Sequence, residues 1–172
     1  MVENGAEWLD IGGESTRPGA EPVAPDDEMQ RVLPVVEAIR AALPDVGISI
    51  DTRRASVARA ALAAGADMVN DVSALSDAEM LDVVVEAGCP ICLMHMQGLP
   101  DDMQNDPAYG DVVAEVRSSL AVSAQALLDA GVGAERIIAD PGIGFGKLLE
   151  HNTALLAAGR GIVPDERMSM MW

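Results

Sequence analysis

Residues 136–147 read Arg-Ile-Ile-Ala-Asp-Pro-Gly-Ile-Gly-Phe-Gly-Lys, a short apolar run that stops at Asp140 and continues into a loop rich in glycine. Pro141 and the alternating glycines do not fit the interior of a helix or a strand. In parallel α/β proteins, ligand sites are commonly built from a polar residue at the C-terminal end of a strand with glycines beside it. The stretch therefore predicts a buried strand that ends in a ligand-binding loop.

The same local pattern recurs along the chain, and it organises the whole sequence. Each copy has a glycine where a helix should end, a short apolar run, and then a polar residue. Runs of this length that are apolar throughout are typical of strands buried on both faces of a parallel sheet. Five strands are predicted, within residues 4–10, 47–51, 64–70, 87–95 and 130–140.

Helical periodicity lies between these runs. Pro34 either kinks or restarts the first helix, and Ser76 with Glu79 matches a capping box that opens the third. The predicted helices cover residues 26–43, 55–64, 76–87, 111–130 and 150–158. Strand–helix alternation predicts an α/β fold, either a barrel or an open doubly wound sheet, and the polar residues at the strand ends favour the barrel.

The length of the chain bears on how much of a barrel it forms. At 172 residues it holds about five parallel β/α units, whereas an eight-unit barrel typically takes about 250 residues. We therefore expect an incomplete barrel over residues 1–158, truncated at both ends, followed by a tail over residues 159–172 without clear periodicity.

Composition excludes several classes of function. A net charge of −17 argues against binding to nucleic acid or to an anionic membrane surface. No apolar run approaches the roughly 20 residues that span a bilayer, and no secretory signal is recognisable, so a cytoplasmic location is expected. Cys89 and Cys92 have CxxC spacing, but in a strand they face opposite ways, which predicts buried structural thiols rather than a disulfide or, with His95, a zinc site.

Three side chains at successive strand ends are the main candidates for a site: Asp51, Asn70 and Asp140. Two carboxylates and a carboxamide suit the hydrogen-bonding edge of a flat, amide-rich heterocycle, and converging carboxylates would also suit a divalent metal. The alternative is that each one caps a helix. Their recurrence in successive units favours a shared site.

Two further segments suggest anion binding. The loop Leu9-Asp-Ile-Gly-Gly-Glu-Ser-Thr-Arg-Pro-Gly19 offers hydroxyls and a guanidinium for a phosphate or carboxylate. Arg53 and Arg54 form a local positive patch, which would hold an anionic leaving group or merely oppose a helix start. The glycines of residues 142–146 match neither a Walker loop nor GxGxxG. They suit a close backbone approach to a planar ligand, with Phe145 packing nearby.

With these motifs the sequence resembles the dihydropteroate synthase family, the folate-pathway enzymes that sulfonamides target. The matching stretches are Leu9–Gly19, Ile50-Asp-Thr52, Val69-Asn-Asp-Val72, Leu93-Met-His-Met-Gln97 and Asp140-Pro-Gly-Ile-Gly-Phe-Gly-Lys147. The resemblance implies a (β/α)8 barrel that condenses 6-hydroxymethyl-7,8-dihydropterin diphosphate with p-aminobenzoate. It also implies a set of substrate-binding residues.

In that set, Asp51, Asn70 and Asp140 hydrogen-bond the pterin edge, while Val72, Met94 and Phe145 line its pocket. Thr16 and Arg17 belong to a mobile loop that orders over the diphosphate and shapes the p-aminobenzoate site. Lys147 completes the substrate-binding set. No catalytic residue and no metal ligand is assigned within the chain.

The resemblance carries further expectations. The family's magnesium ligand lies on a first strand that precedes these residues, and its homodimer is built from helices late in the barrel, so this chain is expected to lack both. On its own, it is not expected to support useful turnover. The alternatives are another pterin-binding barrel, such as a corrinoid-linked methyltransferase domain, or a non-catalytic remnant. The Ser-Thr-Arg-Pro and Met-His-Met-Gln motifs favour the synthase.

Overall fold

Six strands alternate with five helices in the structure, a computed structural model that describes residues 1–98, 100 and 102–171. The strands are β1 Trp8–Gly12, β2 Gly47–Asp51, β3 Met68–Asp71, β4 Ile91–Met94, β5 Ile137–Asp140 and β6 Ser169–Met170. The helices are α1 Pro25–Ala42, α2 Ala55–Ala64, α3 Met80–Ala87, α4 Val112–Asp129 and α5 Leu149–Ala158. Short 3-10 turns cover Val2–Asn4, Ala134–Arg136 and Gly159–Ile162.

The order of the strands decides between the two predicted architectures. All neighbouring strands are parallel, and their order in the sheet is the order in the sequence, β1 to β6. A doubly wound sheet would reverse its order part-way, whereas consecutive right-handed crossovers leave every helix on the same side. This arrangement confirms the barrel class with five β/α units, and β6 follows the last helix.

The core lies between the sheet and the helices and is almost entirely aliphatic. Strand side chains that face the helices are fully buried, among them Ile48, Ile50, Val69, Ile91 and Leu93. Cys89 and Cys92 are buried free thiols, as predicted. In the part of the chain that the structure describes, no helix is both long and apolar enough to cross a membrane.

Two local predictions are resolved by the structure. The first helix continues through Pro34 without interruption. The capping box at Ser76 is wrong, because α3 begins only at Met80 and the Ser76 hydroxyl donates to the carbonyl of Ser73. The next residue, Asp77, accepts instead from the backbone amide of Ala55, at the start of α2. The other oxygen of Asp77 accepts from the amide of Glu79 at 3.1 Å, so Asp77, rather than Ser76, makes the local hydrogen bond.

The last residues contain more regular structure than their sequence suggests. After the turn Gly159–Ile162, strand β6 pairs in parallel with β5, with Ser169 opposite Ile138 and Met170 opposite Ala139. Among the described residues, β1 and β6 form the two edges of the sheet.

Helix α4 provides a direct test of the core. Leu120 is buried and Val122, two residues further along the same helix, is 72% exposed. Leu120→Ala should lower the free energy of unfolding by about 2–5 kcal/mol, because it leaves a cavity among well-packed neighbours. Val122→Ala should change it by no more than about 0.5 kcal/mol. Urea unfolding followed by circular dichroism measures both, and equal effects would contradict the packing described here.

Candidate functional site

The candidate site lies on the concave face of the sheet, opposite the helices. Side chains alternate along a strand, so Asp10, Ser49 and Asn70 face the side that Ile48 and Val69 do not. A cavity of about 390 Å³ on this face is lined by Trp8, Asp10, Ser49, Met68, Asn70, Ile138 and Met171. The polar side chains of three neighbouring strands therefore share one open surface.

Asp51 and Asn70 lie side by side at the rim of this face. They are paired across β2 and β3, and Asp51 also pairs with Gly12 of β1. The amide nitrogen of Asn70 donates to Asp10 at 3.1 Å, and the hydroxyl of Ser49 donates to the other oxygen of Asp10. Asp10 thus fixes the orientation of Asn70, whereas the sequence indicated only that a polar residue follows the apolar run within residues 4–10.

The Asp51 carboxylate is poised to accept hydrogen bonds from a ligand. No described residue donates a hydrogen bond to it, and no described helix is capped by it. Burial, together with the negative charges of Asp10, Glu28, Asp71 and Glu14, raises its pKa to about 7. A partly buried carboxyl group without a protein donor at a strand end is a typical feature of a binding site.

Asp140 lies on β5, two strands from Asn70 and three from Asp51, and is opposite Met94 of β4. Its side chain accepts from the amide of Gly142 at 2.7 Å, and its backbone carbonyl accepts from the amide of His95 at 3.0 Å. Burial raises its pKa, although the Gly142 hydrogen bond and the charge of Lys147 oppose that shift. The structure places Asp140 at the same rim as Asp51 and Asn70, with the glycine loop turning away beside it.

Two glycines allow that loop to pack directly on the backbone that follows β4. A Cβ atom on Gly142 would lie 2.0 Å from the carbonyl oxygen of His95, and one on Gly146 would lie 2.6 Å from that of Gln97. Both residues also have positive φ, at 66° and 59°. Only glycine satisfies both requirements.

The buried side chain of Lys147 holds the same loop in place by hydrogen bonds. It is 4% exposed, and its ammonium group donates to the carbonyls of His95 and Phe145 at 3.0 and 2.9 Å. The third contact is to the imidazole Nδ1 of His95, at 3.1 Å. Burial lowers the pKa of Lys147 to about 8, although Asp140 opposes this shift. The described contacts of the Lys147 ammonium group are therefore all with residues of the protein itself, and its predicted role in substrate binding stays a prediction.

The apolar candidates lie around the rim. Val72 and Met94 are buried, and both line a cavity of about 580 Å³ that also reaches His95 and Arg53. Phe145 is half-buried in the glycine loop, where its amide donates to the carbonyl of Gly142 at 3.0 Å. Apolar surfaces thus flank the polar strand ends.

Thr16 and Arg17 lie in the β1–α1 loop, which we define as residues 13–24. The Arg17 side chain is exposed and makes no hydrogen bond or ion pair with a described residue. It lines a separate cavity of about 550 Å³ together with Ser15 and Arg31. The loop lies next to the rim, and its guanidinium is available to an anion.

Arg53 and Arg54 are paired with two carboxylates, which the sequence did not indicate. Arg53 Nε contacts Glu14 at 2.8 Å, and Arg54 contacts both Glu14, at 2.7 Å, and Glu28. Burial opposes ionisation of Glu14, but hydrogen bonds from Arg54, Arg53 and the Val23 amide lower its pKa to about 2. This charge cluster of four side chains holds the β1–α1 loop to the end of β2.

A model of the family described as pterin binding enzyme matches residues 1–161. The chain belongs to the pterin-binding enzyme family. It is 47% identical over 157 residues to the dihydropteroate synthase of Escherichia coli, covering 91% of this chain and 55% of that protein. It is 50% identical over 157 residues to the Synechocystis enzyme, covering 91% of this chain and 54% of that protein. The chain therefore spans about half the length of these relatives of the pterin-binding family.

Solved structures of two dihydropteroate synthases have a similar fold. Burkholderia cenocepacia dihydropteroate synthase, in complex with 7,8-dihydropteroate, is 53% identical with a TM-score of 0.85, over 94% of this chain and 57% of that one. The Yersinia pestis enzyme, in a complex with a sulfonamide drug, is 42% identical with a TM-score of 0.87, over 91% of this chain and 57% of that one.

Magnesium was expected from the family resemblance rather than from these residues. Within residues 1–98, 100 and 102–171, no three His, Cys, Asp or Glu side chains converge as a metal ion would require. The two oxygens of Asp10 accept hydrogen bonds from Ser49 and Asn70. Magnesium therefore stays an expectation from the family resemblance.

The glycine loop supplies a matched pair of substitutions. Gly142→Ala would force a Cβ onto the His95 carbonyl, whereas a Cβ on Gly144, also at positive φ (87°), would meet no atom within 4 Å. Gly144→Ala should cost about 1–2 kcal/mol of unfolding free energy, from backbone strain alone. Gly142→Ala should cost clearly more than that, since it also has to displace backbone. Chemical denaturation of the two variants tests this, and equal losses would contradict the close approach.

His95 gives a pH-dependent prediction. Burial first, and then the charge of Lys147, lowers its pKa to about 4, against about 6.5 in an unfolded chain. The unfolded state therefore binds the proton more readily, and stability from neutral His95 is lost as pH falls from about 6.5 to about 4. The loss should reach up to about 3 kcal/mol.

The measurement is the free energy of unfolding between pH 4 and pH 7. His95→Gln should flatten the acid-side decline relative to the parent chain. The control, His151→Gln, leaves His95 in place and should retain that decline. An unchanged slope in His95→Gln would contradict the assignment.

Proposed function

We propose that this chain acts as the pterin-binding part of a dihydropteroate synthase. In this reaction 6-hydroxymethyl-7,8-dihydropterin diphosphate condenses with p-aminobenzoate to give 7,8-dihydropteroate and diphosphate. The observation that carries the proposal is that Asp51, Asn70 and Asp140 lie on the same face of a parallel sheet, at the C-terminal ends of β2, β3 and β5. They lie beside a glycine loop in a chain of the pterin-binding family.

The polar rim suits the edge of a pterin, which presents several ring N–H, amino and carbonyl groups. Asp51 and Asp140 would accept from its N–H groups, and the Asn70 carboxamide would both donate and accept. Because Asp51 has no described protein donor, a pterin would supply its missing partner. Val72, Met94 and Phe145 would pack against the ring and exclude water from these hydrogen bonds.

The reaction also needs control of two anionic groups. The bond between the pterin methylene and the diphosphate oxygen breaks, the electron pair leaves with diphosphate, and the aryl amine forms the new C–N bond and loses a proton. Arg17 offers an unpaired guanidinium, and Thr16 a hydroxyl, from a loop next to the rim. Such donors stabilise negative charge on the departing diphosphate or orient the carboxylate of p-aminobenzoate.

A second candidate is binding of a pterin without turnover. It is favoured by one observation, that the chain spans 55% of the length of the Escherichia coli relative while including the pterin-edge residues. The two candidates share the pocket and differ only in chemistry. Measuring binding and product separately therefore distinguishes them.

Calorimetry with a non-reactive pterin analogue tests the shared pocket. Asp140→Asn should weaken binding by about 10- to 100-fold, because a buried, charge-assisted hydrogen bond contributes about 1.5–3 kcal/mol. The control is Asp45→Asn, which makes the same charge change at an exposed position before β2, at the opposite end of the strands. Equal affinities of parent and Asp140→Asn would refute the role of Asp140.

Pteroate formation from the two substrates tests the synthase proposal itself. The parent chain should yield product above a reaction without protein but far less than the full-length Escherichia coli relative, and Asp140→Asn should lower that yield. The Escherichia coli relative serves as the positive control. Tight pterin binding with no pteroate would favour the binding-only candidate and contradict the synthase proposal for this chain.

A further inference from the structure

The β1–α1 loop is held at its two ends rather than along its length. Between Ser15 and Pro22, the described hydrogen bonds join the loop only to itself, from the Arg17 amide to Ser15 Oγ and from the Ala20 amide to the Arg17 carbonyl. Contacts to the rest of the protein begin at Glu14 on one side and at Val23 on the other. The part that carries Thr16 and Arg17 is therefore a span between two anchors.

Glu14 joins these anchors to each other. Its Oε2 accepts from the backbone amide of Val23 at 2.7 Å, nine residues along the chain. The same oxygen accepts from Arg54, and the other oxygen accepts from Arg53 at 2.8 Å. The loop thus closes on itself as a short Ω-loop before it contacts the sheet.

Arg54 connects the closed loop to the body of the protein. Its Nη2 donates to Glu14 and also to the Val23 carbonyl, both at 2.7 Å, and its Nη1 pairs with Glu28 of α1. Glu28 is fully buried and its second oxygen accepts from Thr52 at 2.6 Å. A buried carboxylate cannot lose its cation without a large penalty, so Arg54 is held in place.

We propose that Arg54, three residues after Asp51, is a positioning residue that fixes both ends of the β1–α1 loop to the segment that follows β2. The inference rests on the proposed function, in which Thr16 and Arg17 act on substrate anions above the pterin. With both ends fixed, movement is confined to residues 15–22, and Thr16 and Arg17 return to the same place over the rim. The planar fork of arginine serves three acceptors in fixed directions, which the single ammonium of lysine does not.

The neighbouring Arg53 provides a matched control. Both arginines contact Glu14, but only Arg54 reaches Val23 and Glu28. Amide hydrogen exchange on the 172-residue chain compares Arg54→Met, Arg54→Lys and Arg53→Met. In both Arg54 variants the hydrogen-bonded amides of Ala20 and Val23 should exchange at least about 10-fold faster than in the parent, since local opening controls exchange. In Arg53→Met they should stay within about twofold.

Arg54→Lys keeps the test decisive if Arg54→Met fails to fold, because lysine retains a positive charge beside Glu28. Protection of β3 and β4 should match the parent in this variant while that of the Val23 amide is lost. Parent-like exchange at Val23, or an equal rise in β3 and β4, would overturn the proposal. The exchange measurement uses no substrate, so its result tests the role of Arg54 even if the chain does not bind a pterin.

A second readout separates positioning from a merely structural role. In an active chain, Arg54→Lys should raise the KM for p-aminobenzoate at least about fivefold, because the loop that shapes that site is no longer held. The dissociation constant of a pterin analogue should change less than about twofold, because Asp51, Asn70 and Asp140 are untouched. Equal losses in both quantities would overturn the positioning role.

Discussion

The register of the parallel strands is the constraint on which the site depends. Pairing of Asp51 with Asn70, and of Met94 with Asp140, places their side chains on one face at one rim. Because side chains alternate along a strand, a slip of one residue would turn each of them toward the helices and expose the aliphatic face instead. The buried aliphatic side chains that face the helices oppose such a slip, so the packing of the core and the geometry of the site share one cause.

Sequence patterns were most informative where the signal is local. Short apolar runs, with the glycines before them, predicted the strands and located Asp51, Asn70 and Asp140 at strand ends. Contacts between distant residues leave no periodic trace, so the pairing of Glu14 with Arg54, 40 residues apart, could not be predicted. The capping box at Ser76 failed because the Ser76 hydroxyl donates to the Ser73 carbonyl, while Asp77 accepts from the Glu79 amide. A pattern likewise cannot tell whether the Lys147 amine turns toward a ligand or toward backbone carbonyls.

Acidic side chains at this end of the sheet fall into two chemically different groups. Glu14 and Glu28 are neutralised by arginines, and Glu14 is ionised even in moderately acidic solution because its pKa is about 2. Asp51 has no such partner, and its pKa near 7 leaves it divided between two protonation states at neutral pH. Hydrogen-bond donors on a ligand would favour the ionised form. The neighbours of each carboxyl group therefore separate those that hold the fold together from those that face the ligand.

The position of Lys147 has a practical consequence for chemical labelling. It is the sole lysine of the chain, and in the folded protein its amine is enclosed by the carbonyls of His95 and Phe145. An amine-directed reagent therefore has the terminal amino group as its accessible target and reaches the side chain only when the glycine loop leaves β4. The ratio of the Lys147 adduct to the terminal-amine adduct would therefore measure how often that loop opens. Lys147 is a natural probe of this motion, and no labelling residue has to be introduced.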